Sequence, residues 1–235
     1  MANDPKLENR AAYLKYLQRD PAVTRDGGDA SIRILTDESD IEAAQSAARL
    51  AWSKMGYQGS DYRVGILSHD PFLMHLRDAV RFPDGSLGLH NRMMEGTAVA
   101  AIPSIDNKIA LIRIFRHGLR NWSWEFPRGG VGQGEGSDAA IRRELIEEIG
   151  APVESLIDLG PFTPGGSILA TWARLYWAQI KTIGRPAVGE GIAEYRLCSV
   201  DEVGAMIANG DITDGFSIAL YARAMLKGLI PLGGT

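Results

Sequence analysis

Hydrophobic residues recur at two different spacings along this chain, and each spacing predicts one kind of element. Apolar positions three or four residues apart predict helices at about 6–18, 38–55, 137–149, 200–208 and 214–227. Alternating or continuous apolar runs predict strands at about 75–82, 87–93, 97–103, 109–115, 122–126, 168–180 and 192–199. Strands on both sides of a helix, followed by closing helices, predict a mixed sheet between helical layers.

A turn signal separates the first two predicted strands. Pro83-Asp84-Gly85 combines a proline that presets φ with a glycine that accepts a positive φ. We therefore predict a β-hairpin over residues 75–93.

Composition narrows the function classes. The 235 residues are 45% hydrophobic and 23% charged, with a net charge of -4, and the isoelectric point is about 5.6. This balance lacks the basic footprint of a nucleic-acid binder. The first twenty residues lack an apolar segment, and no run approaches the length of a membrane span. We expect a cytoplasmic protein with no nucleic-acid or membrane partner, and we expect its single cysteine, Cys198, to be buried.

The helix predicted at 137–149 carries the candidate chemistry. Glu144, Glu147 and Glu148 stand at i, i+3 and i+4, so they are expected on one face, opposite the apolar stripe. Like charges at this spacing repel, and a divalent cation would reverse the sign. Oxygen ligands of this kind suit Mg²⁺ or Mn²⁺. The alternative is that the three glutamates are the solvated face of an amphipathic helix.

The start and end of this helix are marked by Ser137 as the predicted N-cap and by Gly150 as the C-terminal stop. The glycine-rich run at 129–136 precedes it, and such a run is usually a flexible connector.

One pattern around this helix is highly specific. Gly129, Glu135 and the segment Arg143-Glu144-Leu145-Ile146-Glu147-Glu148-Ile149-Gly150-Ala151 resemble the Nudix box, G-x5-E-x7-R-E-U-x-E-E-x-G-U, in which U is aliphatic. Only the last U is weak, because Ala151 replaces a larger residue. Average residue usage gives such a match roughly once in 10^8 starting points.

Further segments narrow the resemblance to the ADP-ribose pyrophosphatase group over about residues 73–228. Residues 111–117, the Trp124-Glu125-Phe126-Pro127-Arg128-Gly129 segment, residues 162–166 and residues 210–214 are similar to segments of that group. Pro164 lies closer to the box than is usual, and residues 167–170 lack the group's common acidic residue. The reaction type therefore follows more directly from the resemblance than the substrate does.

The resemblance implies an α+β fold, a Nudix-type α/β/α sandwich with a mixed β-sheet. A helical and β-hairpin extension would precede it. We expect three domains: a helical N-terminal extension at 1–60, N-terminal strands for dimerisation at 61–93, and a Nudix hydrolase domain at 94–235.

The resemblance also implies roles for the box residues. Glu144, Glu147 and Glu148 would hold the metal together with the backbone carbonyl of Arg128, and Mg²⁺ or Mn²⁺ would be the cofactor. Arg143 stands four residues before Glu147, close enough to orient it.

The general base in this group is a glutamate on a loop after the box. Glu190 occupies that place, and Glu194 is the runner-up. A glutamate between glycines is otherwise simply a polar loop residue.

Two residues before the box match substrate contacts of the group. Arg116 corresponds to an arginine that grips the pyrophosphate, although a surface ion pair is an equally open interpretation. Glu125 would contact the substrate, and its alternative is a solvated strand residue.

The resemblance implies a homodimer as well. Residues 73–93 would complete the active site across subunits, with Arg77 as a substrate contact.

The function expected is hydrolysis of a nucleoside diphosphate sugar, with ADP-ribose giving AMP and ribose 5-phosphate. Two alternatives stay open: another sugar nucleotide or dinucleotide as substrate, or a nucleotide-sensing module that binds without turnover.

Overall fold

A computed structural model describes residues 5–19 and 22–230 of the chain and divides it into two compact units. The predicted first and last domains also include residues 1–4, 20–21 and 231–235, which lie outside the described residues. Each unit has its own sheet.

The N-terminal unit comprises residues 1–95 and 165–170. Its elements are α1 (Pro5–Arg19), β1 (Arg33–Ile34), α2 (Glu38–Lys54), β2 (Gly65–His69), β3 (Leu73–Arg81) and β4 (Leu87–Glu95). Strand β3 pairs antiparallel with each of the other three strands. Tyr13, Ile41 and Leu76 are fully buried in one cluster, which joins both helices to the sheet.

The predicted hairpin is confirmed as β3 and β4. Gly85 turns the chain with φ of 83°, and its N–H donates to the carbonyl of Phe82 at 2.9 Å. The carboxylate of Asp84 accepts from the N–H of Ser86 at 2.9 Å, which closes the turn.

The C-terminal unit comprises residues 96–164 and 171–235. Its elements are β5 (Ala98–Ile105), β6 (Lys108–Arg116), β7 (Asn121–Glu125), β8 (Arg128–Gly130), α3 (Ser137–Ile149), β9 (Val153–Phe162), β10 (Ala173–Ile180), a 3-10 helix (Val188–Glu190), β11 (Ile192–Cys198), α4 (Val200–Asn209) and α5 (Gly215–Leu226). The sheet has the order β11-β6-β5-β10-β9, with β7 added to β6 and β8 to β5. It is mixed, because β5 and β10 run parallel while the other pairs are antiparallel.

Helices cover both faces of this sheet. Alternate residues of a strand point to opposite faces, and β5 shows the pattern. Val99 packs in the cluster that contains the apolar side of α3, whereas Ala100 packs in the cluster that contains α4 and α5. The predicted α/β/α sandwich with a mixed sheet is therefore confirmed.

Strand β9 was not predicted. It is an edge strand that pairs only with β10, and most of its residues are exposed or half-buried. Acidic residues, a glycine and a proline suit an edge and hide the strand signal.

One predicted strand boundary and one predicted N-cap were wrong, whereas the predicted helix at 137–149 is observed with these bounds. The strand predicted at 168–180 begins at Ala173, because residues 168–170 pair instead with Met93 of the N-terminal unit. Helix α3 begins at Ser137, so Gly136 is its N-cap and no side chain caps it.

Cys198 is fully buried, as predicted. Within residues 5–19 and 22–230, none of the helices combines the length and apolar character that crossing a membrane requires.

Candidate active site

The side chains of Glu144 and Glu148 are buried in the C-terminal unit. The carboxylate of Glu144 lies against the backbone of Gly129. A Cβ added at Gly129 would lie 1.9 Å from the carboxyl carbon of Glu144, so only glycine fits there. Strand β8 carries Gly129 beside α3, and this close approach explains the first box glycine. Burial raises the pKa of Glu144 despite its ion pair with Arg143.

Glu148 is the more deeply buried of the two, with 3% of its surface exposed. Its Oε2 accepts the backbone N–H of Arg128 at 3.1 Å. Burial, followed by the charges of Glu144 and Glu190, raises the pKa of Glu148 to about 8. Glu144 and Glu148 are thus partly desolvated, and the charge of the exposed Glu190 opposes the ionisation of both.

Arg143 connects the polar positions of the box. It donates to Glu135 at 3.0 Å, to Glu144 at 2.8 Å and to Glu147 at 2.8 Å. It also donates to the carbonyl of Gly130 at 2.8 Å, which ties the glycine-rich loop to α3. The hydrogen bonds that Arg143 donates to Glu135, and then those to Glu144 and Glu147, raise the pKa of Arg143. The proximity of Arg143 to Glu147 is confirmed.

The structure separates Glu147 from the other two glutamates. Its side chain is 46% exposed and pairs with Arg143, whereas Glu144 and Glu148 are buried. Across the described part of the chain, no group of three or more His, Cys, Asp or Glu side chains is arranged to hold a metal ion.

Glu190 lies near the box because its loop is anchored to the end of α3. The carbonyl of Glu148 accepts the N–H of Ala187 at 2.9 Å, and the carbonyl of Ile149 accepts the N–H of Gly184 at 2.8 Å. Gly150 ends the helix with φ of 60°, and a Cβ there would lie 2.9 Å from the Cα of Gly184. The loop then forms the 3-10 helix that ends at Glu190.

Glu194 lies elsewhere on β11. Its carboxylate pairs with Arg113 of β6 at 3.1 Å, and both side chains are about half exposed. The charge of Glu190, by contrast, acts on both Glu144 and Glu148.

Arg116 and Glu125 form one ion pair at the end of β6 and β7. The guanidinium contacts both carboxylate oxygens, with distances of 2.5–3.1 Å. Glu125 is 1% exposed, so it is not the solvated strand residue that the sequence left open. Burial alone would raise the pKa of Glu125, but Arg116 and then Arg128 hold it below its usual value.

The side chain of Arg128 extends this pair. It lies 3.2 Å from Glu125 and 3.3 Å from Asp214, and it covers the ring of Phe216 at 4.5 Å. From the sequence we expected Arg128 to act only through its backbone carbonyl, and we expected no role for Asp214. The available signal was the position of Asp214 directly before a predicted helix, where it caps α5 by accepting the N–H of Ser217.

These residues border a cleft of about 560 Å³. Arg116, Arg128 and Glu125 line it, together with Leu119 and Asp214. Two guanidinium groups beside apolar surface suit a ligand that carries phosphates and a less polar part.

Arg77 belongs to the N-terminal unit, and its donors are used there. It donates to Asn91 at 2.9 Å and to the carbonyl of Asp61, and Trp52 lies 5.9 Å away. These contacts give Arg77 a structural role in its own unit, and its substrate contact remains a prediction.

Comparison with known proteins identifies the family. The model of the NUDIX domain matches residues 94–216, which are 123 of the 235 residues. The chain therefore belongs to the Nudix family, as its box indicates, and the sandwich is a Nudix fold.

Two curated relatives match parts of the chain. GDP-mannose pyrophosphatase of Yersinia enterocolitica is 33% identical over 105 residues, which are 43% of this chain and 55% of that protein. RNA pyrophosphohydrolase of Haemophilus ducreyi is 32% identical over 77 residues, which are 33% of this chain and 32% of that protein. The matches thus span about a third to just over half of these relatives.

A solved structure shows the same fold. The crystal structure of an ADP compounds hydrolase superposes with a TM-score of 0.61 at 20% identity, covering 70% of this chain and 91% of that one.

Proposed function

We propose that the C-terminal unit hydrolyses the pyrophosphate bond of a nucleoside diphosphate sugar, with ADP-ribose as substrate and AMP and ribose 5-phosphate as products. The observation that carries this proposal is the burial of two carboxylates at the box, with Glu144 against the backbone of Gly129 and Glu148 on the N–H of Arg128, while the charge of Glu190 repels both. Such a set is unfavourable without a cation and is typical of a site rather than of a core.

The donor chemistry of these residues fits a hard divalent cation. Glu144 rests on the open backbone of Gly129, and Glu148 is a carboxyl whose burial disfavours its charge unless positive charge is near. Few carboxylates are needed, because Mg²⁺ shares its coordination between one or two carboxylates, waters and substrate phosphates. We propose that Glu144 and Glu148 hold Mg²⁺ or Mn²⁺ with the carbonyl of Arg128.

Glu147 completes the proposed ligand set, and its side chain is the most exposed of the three. When bound, the metal neutralises phosphate charge and lowers the pKa of water.

Side chains of the protein would carry out the remaining steps. Glu190 would take the proton of the attacking water as the new P–O bond forms and the bridging P–O bond breaks. Arg116 would steady the pyrophosphate with its planar fork while Glu125 fixes the guanidinium. Arg143 would position Glu144 and Glu147.

The cleft and the charge of the chain support the proposed substrate class. A cleft with two arginines suits a small diphosphate, and a net charge of -4 disfavours a polynucleotide. The names of the relatives include a GDP-mannose pyrophosphatase, so a different sugar nucleotide is the second candidate.

The homodimer stays part of the proposal. Residues 73–93 would complete the site of the partner subunit, and Arg77 would contact its substrate. The resemblance to ADP-ribose pyrophosphatases supports this assembly.

A substrate panel tests the proposed function. Purified full-length protein with Mg²⁺ is incubated with ADP-ribose, GDP-mannose, a dinucleotide and an RNA with a 5′-triphosphate, and products are separated by chromatography. We expect AMP and ribose 5-phosphate to form fastest, with Glu148→Gln as the inactive control. Faster turnover of another compound would replace ADP-ribose, and binding without any turnover would establish a sensor.

A further inference from the structure

The N-terminal unit contains a pocket of about 390 Å³ that lies outside the residues matched by the Nudix model. Three segments form its walls: the middle of α1, the middle of α2 and the residues that lead into β2. Its volume is in the range of sites for small molecules.

Arginines dominate the charge of this pocket. Arg10, Arg49 and Arg63 line it, against a single carboxylate, Asp61. The chain as a whole has a net charge of -4, so the overall composition does not account for the positive charge at this pocket.

Two of the three arginines are already held by carboxylates. Arg63 grips Asp61 with contacts of 2.8–3.1 Å, and Arg10 pairs with Glu38. Arg10 also donates to Gln45 at 3.3 Å. These contacts hold the guanidinium groups of Arg10 and Arg63 in place before a ligand binds.

Arg49 is different, because no carboxylate among the described side chains pairs with it. Its guanidinium lies 5.3 Å from the ring of Tyr62, which in turn packs against Trp52 at 5.2 Å. Gln45 anchors this segment by donating to the carbonyl of Tyr62 at 2.8 Å. An arginine positioned by a ring keeps donors available for an anion.

We propose that this pocket binds a small phosphorylated ligand, whose phosphate contacts Arg49 and is flanked by Arg10 and Arg63. The planar donors of arginine match phosphate oxygens, and the pocket is too small for a polymer. Tyr62 is occupied by Arg49 and Trp52, so the phosphate provides the main recognition.

The test uses the side chain of Trp52 as a reporter in full-length protein without metal. The indole N–H signal of Trp52 is assigned by its loss in Trp52→Phe, and the ¹⁵N-labelled protein is titrated with inorganic phosphate, ribose 5-phosphate and AMP at constant ionic strength. We expect a saturable shift of this signal. Arg49→Gln should weaken the binding about tenfold or more, the cost of losing a charge-assisted hydrogen bond.

Matched variants separate this site from other effects. Arg49→Gln breaks no described ion pair and loses only the contact with the ring of Tyr62, so its unfolding temperature should fall little. Arg49→Lys, which keeps the charge and loses the fork, should bind with intermediate affinity. Arg81→Gln removes a half-buried arginine of the same unit that lies outside the pocket and should bind normally, and Arg116→Gln should leave the Trp52 shift intact.

The three ligands identify the source of the phosphate. A shift with all three means recognition by phosphate alone, and a shift with AMP only means that a nucleotide is the ligand. No saturable shift, or equal affinity in Arg49→Gln, overturns the proposal. Hydrolysis by Arg49→Gln should equal that of the wild type, so this result and a failure of the proposed catalytic function are distinguishable.

Discussion

Each unit buries a carboxylate whose surroundings can be compared, Asp78 in the N-terminal unit and Glu148 in the C-terminal unit, and the two are surrounded in opposite ways. In the N-terminal unit, Asp78 is 2% exposed and accepts from Tyr13 at 2.6 Å and from Arg92 at 2.6 Å and 2.9 Å. In the C-terminal unit, Glu148 is 3% exposed, yet its neighbours include the like charges of Glu144 and Glu190.

This difference indicates that the contacts of Asp78 contribute to stability and that the burial of Glu148 serves function. Asp78 is matched by a cation and by a hydroxyl donor, so its burial holds α1 to the sheet. Glu148 has a single described hydrogen bond, from the backbone of Arg128, and its charge is opposed by two carboxylates. A buried carboxylate that no cation pairs with is typical of sites where binding or catalysis requires it.

The largest effect is expected for Glu148→Gln, which removes a proposed metal ligand. Loss of several kcal/mol of charge stabilisation in the transition state should lower kcat/KM by roughly 10^3- to 10^5-fold. Above pH 8, where Glu148 of the folded wild type is charged, the metal-free variant should be at least as stable as the wild type, because one repelling charge is gone. Steady-state kinetics at saturating Mg²⁺ measure the first effect. Full turnover there would show that the metal assignment is wrong.

Glu190→Gln should lower kcat by roughly 10^2- to 10^4-fold, the usual contribution of a positioned general base. Its affinity for Mg²⁺, measured by calorimetry, should change little. Glu194→Gln is the matched control, since its carboxylate pairs with Arg113, and it should retain activity. The reverse result would transfer the role of base to Glu194.

The sequence predicted those parts of the site that are set by spacing along one helix. Glu144, Glu147, Glu148 and Arg143 follow from the box, and Gly150 from the end of α3. The spacing predicted the contact of Arg143 with Glu147, but it did not predict that Glu147 would stay about half exposed while the other two are buried. Burial depends on the sheet beneath the helix, which spacing does not report.

The parts that were missed depend on contacts between distant segments. Arg128 meets Asp214 across 86 positions of the chain, and this contact requires α5 to pack beside β8. Strand β9 was missed for a related reason, because an edge strand exposes polar residues and lacks a clear apolar pattern. Fold class came from periodicity, whereas these contacts came from tertiary packing.

Asp78→Asn should destabilise the protein by about 3 to 5 kcal/mol, because it leaves the half-buried charge of Arg92 without its partner. Urea unfolding measures the loss. Tyr13→Phe is the milder control, with a loss of about 1 kcal/mol, since Arg92 and Asp78 stay paired. A loss in Glu148→Gln as large as that in Asp78→Asn would remove the distinction between the two carboxylates.

The stability of the metal-free protein should fall as pH rises. The pKa of Glu148 is about 8 in the folded state and near 4.5 in the unfolded state, so the folded protein binds more protons between these values. Stability from this group is present below pH 4.5 and lost as pH rises through 8. We expect a difference on the order of 2 kcal/mol between pH 5.5 and 8.5.

Urea unfolding in EDTA measures this pH dependence, and Glu148→Gln is the reference because other titrating groups are shared. The wild type should lose more stability than the variant over the range. Parallel curves for the two proteins would contradict the view that Glu148 is unmatched.

The smallest effect is expected at Arg77, which has structural contacts in its own unit and is also the proposed substrate contact. Arg77→Ala removes the hydrogen bonds to Asn91 and to the carbonyl of Asp61, so the unfolding free energy should fall by about 1 to 2 kcal/mol. If residues 73–93 complete the site in a homodimer, KM for ADP-ribose should also rise more than kcat falls. Arg81→Ala removes only a 3.7 Å ion pair with Asp40 and should change neither quantity. A lower unfolding temperature with an unchanged KM would limit Arg77 to the fold, and light scattering that shows a fully active monomer would exclude the shared site.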